Sequence, residues 1–257
     1  MLADVAHATK HEGPSTHGRM ALFDIVRGFS VISMVLFHLC YDLRYIYGHP
    51  LAFFQPPFQD IWRASISWTF LFIAGCMCSF SRNGLRRSFK YLTVAAIVFA
   101  TTTIVAVDTP ISFGIIFCMG ASTLIEHLLD RAGLAPKGYM AAFAFVVAFL
   151  LLLGVPHGYV GIGEATFTLP PWLYDHRALS FLGFPGPGFA SGDYYPLLPF
   201  SLMYLAGAAA GRQWRQNGYP SWTYDICCPP LQLVGRHALP IYVLHQPILI
   251  GLLELMR

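Results

Sequence analysis

LFDIVRGFSVISMVLFHLCYDLRY, residues 22–45, is apolar enough to enter a bilayer, yet it carries Asp24, Arg27, His38 and Asp42. At about 100° per residue, these four fall within about 60° of one another around a helix. Val31, Leu36, Phe37 and Leu39 fill much of the remaining circumference. An Asp or Arg at the middle of a membrane helix costs on the order of 2.5–3.5 kcal/mol. A helix that keeps four ionisable groups on one stripe is therefore expected to turn that stripe inward, to partners or to water.

The rest of the 257-residue chain reads as the bundle enclosing this helix. Of its residues 56% are hydrophobic and 11% charged, with a mean hydropathy of +0.55. A soluble domain would carry about a quarter charged residues. Apolar runs close to the roughly 20 residues needed to cross a bilayer make this an integral membrane protein. A formal charge of +3 carries no nucleic-acid signal. The six cysteines form no CxxC pair, so they read as small buried hydrophobes, with no metal site. Residues 1–19 lack the apolar core of a cleavable signal peptide and are expected to form a disordered tail.

Seven spans are expected, with proline punctuating their ends: Met20–Leu43, Ile66–Phe80, Phe89–Val107, Ile111–Leu129, Tyr139–Val155, Pro196–Arg212 and Leu231–Met256. The second needs Trp62 or Ser65 at its start to be long enough. Pro240 and Pro247 predict kinks in the last. No internal repeat is visible. With the N-terminus inside, the inner segments hold ten Lys and Arg (Lys10, Arg19, Arg82, Arg86, Arg87, Lys90, Arg131, Lys137, Arg212, Arg215). The outer segments hold four (Arg44, Arg63, Arg177, Arg257). This imbalance predicts an N-in, C-out bundle. Arg82, Arg86, Arg87 and Lys90 read as topology signal and anionic-lipid contact. The long outer loop at about 156–195 is rich in aromatics. It reads either as a folded cap over an outer pocket or as a segment lying along the lipid interface.

His38 and Asp42 are one helical turn apart. A carboxylate beside an imidazole fixes its tautomer and suits it to act as a general base; the other reading is a structural bond between helices. Arg27 lies about 16 Å of helix rise below His38. It suits the phosphate end of an elongated ligand, or a local pair with Asp24. The last span holds GRHALPIYVLHQP, in which Tyr242 shares a face with His245. This reads as a polar pocket wall or as a single helix-packing hydrogen bond. Walker, GxSxG and HExxH motifs are absent from the sequence.

RGFSVISMVLFH stands as R-x10-H, resembling the motif of membrane acyltransferases that acylate sugars. With FGIIFCMGAS, DYYPLLPF and GRHALPIYVLHQP in order, the chain from about Met20 onward resembles the bacterial DUF1624 family. That family is related to the catalytic domain of heparan-alpha-glucosaminide N-acetyltransferase. The resemblance implies a multi-pass enzyme, in a bacterial inner membrane, that moves an acetyl or other acyl group from cytosolic acyl-CoA to a sugar amine or hydroxyl outside. It places Arg27 and Arg236 on the acetyl-CoA side, His38 as base or transient acyl acceptor, and Asp42 as its orienting group. Asp193, His245 and Tyr242 would bind the acceptor. His49 is added on the acceptor side and is the alternative to His38 as essential histidine, since lysosomal members place theirs in the loop after the first span. The partners implied are membrane lipids and a sugar or glycan; a homo-oligomer is compatible with the sequence. Two rival readings use the same stripe: a transporter or flippase, and a non-catalytic membrane partner protein whose charges pair between helices.

Overall fold

The computed structural model describes residues 20–80, 83–220 and 222–256. The expected tail of residues 1–19 and Arg82 lie outside the described residues. Among them are nine α-helices: α1 (Ala21–Tyr41), α2 (Phe58–Cys76), α3 (Gly84–Val105), α4 (Ile115–Arg131), α5 (Tyr139–Leu151), α6 (Leu197–Asn217), α7 (Trp222–Asp225), α8 (Pro229–Arg236) and α9 (Ala238–Leu255). The expected helical membrane bundle is present, with several ends moved. The second span begins at Phe58 rather than Ile66. The third begins at Gly84 because the Asn83 side chain accepts the Arg86 backbone N–H at 2.9 Å, an N-cap the apolar pattern does not register. The seventh span is two helices rather than one. The chain breaks at His237 (φ −103°, ψ 21°), so Pro240 falls in the first turn of α9, where its missing N–H disrupts nothing. Pro247 lies inside α9.

Among the described residues, five helical stretches are long and apolar enough to cross a membrane: Ala21–Ile46, Phe58–Phe80, Gly84–Val105, Tyr139–His157 and Ala238–Leu255. Helix α4, at 17 residues, is slightly shorter than these, and α6 is less apolar; both bury much of their surface against protein. Helix α6 sits at the centre, against α2, α4 and α5, and buries a run from Met203 to Gly211. Its Arg212 pairs with Glu126 and, at 3.1 Å, with Asp130 of α4. Leu71, Ile116, Met119, Phe149 and Met203 pack between these helices as the main core. Phe99, Ile104, Leu244, Ile248 and Leu252 stay exposed on α3 and α9, as side chains in contact with lipid should.

Glycine permits the two tightest crossings. A Cβ on Gly207 would land on the Phe72 carbonyl, and one on Gly75 on the Tyr204 carbonyl, so α2 and α6 meet backbone to backbone. Gly28 and Gly235 do the same for α1 and α8. Lipid tails are as apolar as leucine, so close van der Waals packing of this kind is a main source of helix association in a bilayer.

The segment between α5 and α6 departs from the all-helical expectation. It contains a hairpin of β1 (Tyr159–Ile162) and β2 (Ala165–Thr168), followed by short 3₁₀ turns. Arg177 donates to the carbonyls of Pro187 and Gly188, and Tyr194 to that of Ser180 at 2.6 Å. The segment then docks on the start of α4 through Gly192 N–H to Pro110 O and Tyr195 N–H to Phe113 O.

Gly207→Ala is expected to cost about 1–3 kcal/mol by overpacking and to lower the melting temperature in detergent. Gly251→Ala, whose Cβ would meet nothing within 4 Å, is the matched control and should not lower it. Equal melting temperatures for the two variants would contradict the backbone-to-backbone crossing.

Candidate functional site

The end of α1 widens into a π-turn over Asp42–Ile46, a distortion frequent at functional sites. It holds Asp42, which is 0% exposed, against α9. Asp42 Oδ1 accepts from Gln246 Nε2 at 2.8 Å. One turn back on α1, the His38 ring lies 4.8 Å from that of His245 between centroids, and the edge of the pair is closed by Phe37. His245 Nδ1 is 2.7 Å from the Tyr242 carbonyl. A carbonyl only accepts, so Nδ1 carries the proton and a neutral His245 presents a lone pair at Nε2. That Nε2, Asp42 Oδ2 and Gln246 Oε1 are all buried without a hydrogen-bond partner among the described residues. All three are acceptors, and unpaired buried polar atoms cost on the order of 1–3 kcal/mol each.

The line continues through Tyr242, whose ring is 5.9 Å from that of His245 and whose hydroxyl donates to Asp193 Oδ2 at 3.4 Å. The same oxygen accepts the Ile115 N–H at 3.1 Å. Helix α4 starts after Gly114, which has no side chain to cap it, so Asp193 supplies the anion that its N-terminus favours. Burial pushes the Asp193 carboxyl above the usual carboxylate range, while the Ile115 N–H and Tyr242 hydroxyl pull it back.

Five of the sequence candidates, His38, Asp42, Asp193, Tyr242 and His245, are thus brought into one connected series. Asp42 is held by Gln246 rather than turned to orient His38, whose ring meets His245 instead. Gln246, which the His-Gln-Pro run places in a polar pocket wall with no role of its own, is the partner that holds Asp42. Arg27 and Arg236 form a second group nearer the start of α1. Asp24, 1% exposed, lies 3.6 Å from each of them. Arg27 also donates to the Gly235 carbonyl at 3.2 Å and contacts Met77 Sδ. His49 is exposed in the loop after the π-turn and joins neither group. Arg87 turns inward, donating to Tyr204 Oη at 2.7 Å and to the carbonyls of Ala74 and Met77. It is a packing residue, which corrects its reading as a lipid contact.

The fold and this seam define a multi-pass membrane protein with a paired-histidine polar centre between its first and last long helices. Residues 19–247 match the family described as heparan-alpha-glucosaminide N-acetyltransferase, catalytic, and the chain belongs to that family. No curated protein and no solved structure matches it significantly. The matched region contains both polar groups.

Because the folded Asp193 holds its proton to higher pH than the unfolded chain, it binds more protons in the window above about pH 4. Stability from this group is present below that window and falls as pH rises through it. Asp193→Asn keeps an acceptor for Ile115 N–H but cannot titrate. Its melting temperature is expected to fall less than wild type's as pH is raised from about 4 toward neutrality. Parallel curves would remove Asp193 from this role.

Proposed function

We propose that this protein is a transmembrane acyltransferase that uses acyl-CoA on its inner face and a sugar amine or hydroxyl on its outer face. The reaction is placed at the His38–His245 pair. The observation that supports this best is the set of three buried acceptors, His245 Nε2, Asp42 Oδ2 and Gln246 Oε1, left without donors in the seam that holds both histidines. An amine or hydroxyl supplies the missing hydrogens. A ligand bearing several such groups gains most from this arrangement, because each new bond relieves a desolvated atom.

In this reading the acceptor heteroatom attacks the thioester carbonyl. The new C–N or C–O bond forms as the C–S bond breaks. His38 takes the proton from the attacking group and returns it to the departing thiolate. General-base assistance of this kind is typically worth about 10²–10⁴-fold, with further gains from holding the two substrates together. Arg236, half exposed beside Asp24, is the accessible contact for the donor phosphates; Arg27 is engaged by Asp24, Gly235 and Met77. Asp193 and Tyr242 bound the acceptor side, under the folded segment at 156–195, which serves as its cap. The excess of Lys and Arg at the opposite pole favours the N-in orientation.

Purified protein given acetyl-CoA and glucosamine is expected to release free CoA. His38→Ala should lower that release at least about 100-fold while keeping the wild-type melting temperature. Gln246→Ala, which removes the bond that sets α9 against α1, should lower kcat as well as raise KM for the acceptor. Full activity of His38→Ala would remove His38 from the chemistry. Solute movement into liposomes without thioester consumption would favour a transporter instead.

A further inference from the structure

A cleft of about 320 Å³ lies beside the polar seam. Its walls are Leu92, Ala95, Ala96 and Phe99 of α3, Phe113 and Phe117 at the start of α4, and Tyr242 of α9. We propose that this cleft receives the acyl chain of the donor thioester, so that the enzyme transfers chains longer than acetyl. The inference rests on the acyltransferase reading above and names the class of donor that reading leaves open.

Position carries the argument. Tyr242 is the one residue shared by the cleft and the seam: it lines the cleft, and its hydroxyl and ring reach Asp193 and His245. Two ring-to-ring steps, 5.9 Å and then 4.8 Å, separate Tyr242 from His38. A carbonyl carbon attacked beside these histidines has its own chain as its nearest substituent. Apolar space beginning one aromatic ring beyond His245 is within reach of the later carbons of such a chain, not of an acetyl group. A lipid tail on the acceptor fits less well, because a sugar ring separates such a tail from the reacting amine or hydroxyl. Chemistry agrees with position. Every cleft residue other than Ser112 and Tyr242 is apolar, and alanines on α3 leave the depth that larger side chains would fill. No bond is made in the cleft. It binds the chain, while the thioester C–S bond breaks at the seam as described.

The test is a series of acyl-CoA donors, from acetyl through butyryl and octanoyl to dodecanoyl, with glucosamine as acceptor. Burial of each methylene is worth about fourfold in affinity. The octanoyl donor is expected to exceed acetyl in kcat/KM by at least about tenfold, below the full sum because the chain also loses freedom. Ala96→Trp, at an exposed position on α3, should cut the octanoyl-to-acetyl ratio at least about tenfold. Phe99→Ala should move the optimum to a longer chain. Melting temperatures of both variants separate loss of the cleft from loss of the fold. An active wild-type enzyme with a flat or acetyl-preferring series overturns the inference and leaves acyl transfer standing, with the cleft holding bulk lipid. A preference seen only when the tail is moved to an alkyl glycoside acceptor overturns it also. No turnover of any thioester overturns both readings.

Discussion

A carboxylate inside a membrane helix must be answered, and the answer given to Asp42 sets the rest of the site. No water is at hand within the hydrocarbon to solvate it, so its oxygens need donors from neighbouring helices. Gln246 supplies one at 2.8 Å. That bond sets α9 against α1 at a defined depth and rotation, which in turn places His245 against His38 and Tyr242 against Asp193. The second oxygen of Asp42 is left unanswered, as are Gln246 Oε1 and His245 Nε2. A fold that leaves three neighbouring acceptors desolvated carries a free-energy cost that a donor-bearing ligand would recover.

Around this seam the bundle is held by means suited to lipid. Backbone-to-backbone contacts at Gly28 with Gly235 and at Gly75 with Gly207 bring α1 to α8 and α2 to α6. Buried charges are paired, Asp24 with Arg27 and the half-exposed Arg236, and Glu126 with Arg212, which also meets the exposed Asp130. These two ion groups lie toward the end of the bundle remote from the 156–195 segment. The charged stripe on α1 is therefore divided between two tasks. Its Asp24 and Arg27 end is closed on itself and on α8, and its His38 and Asp42 end retains unmet bonding capacity.

The breaks in the last span matter to this division. Had residues 231–256 formed one helix, the face that carries Gly235 toward Gly28 would have fixed the rotation of Tyr242, His245 and Gln246. The interruption at His237 lets α8 lie on the inner part of α1 while α9 is set by its own polar contacts. The hairpin and 3₁₀ turns at 155–195 likewise end by delivering Asp193 to the first N–H of α4, where an uncapped glycine start requires an anion.

Hydropathy and periodicity were enough to read a helical membrane bundle, six of its long helices in outline, and the polar stripe on α1. These depend on local chain properties: the length of apolar runs, and a repeat of 3.6 residues. His38, Asp42, Tyr242 and His245 were legible because an ionisable or polar group in an apolar run costs too much to be incidental. Gln246 and Asp24 were less so, since an amide, or an acid one turn from an arginine, has cheap local explanations. Which partner each group meets was decided only by the tertiary structure. Asp42 lies one turn from His38 in the chain, yet it bonds to Gln246, 204 residues away. Spacing along a helix fixes which side chains share a face; the depth and rotation of the opposite helix fix which of them touch.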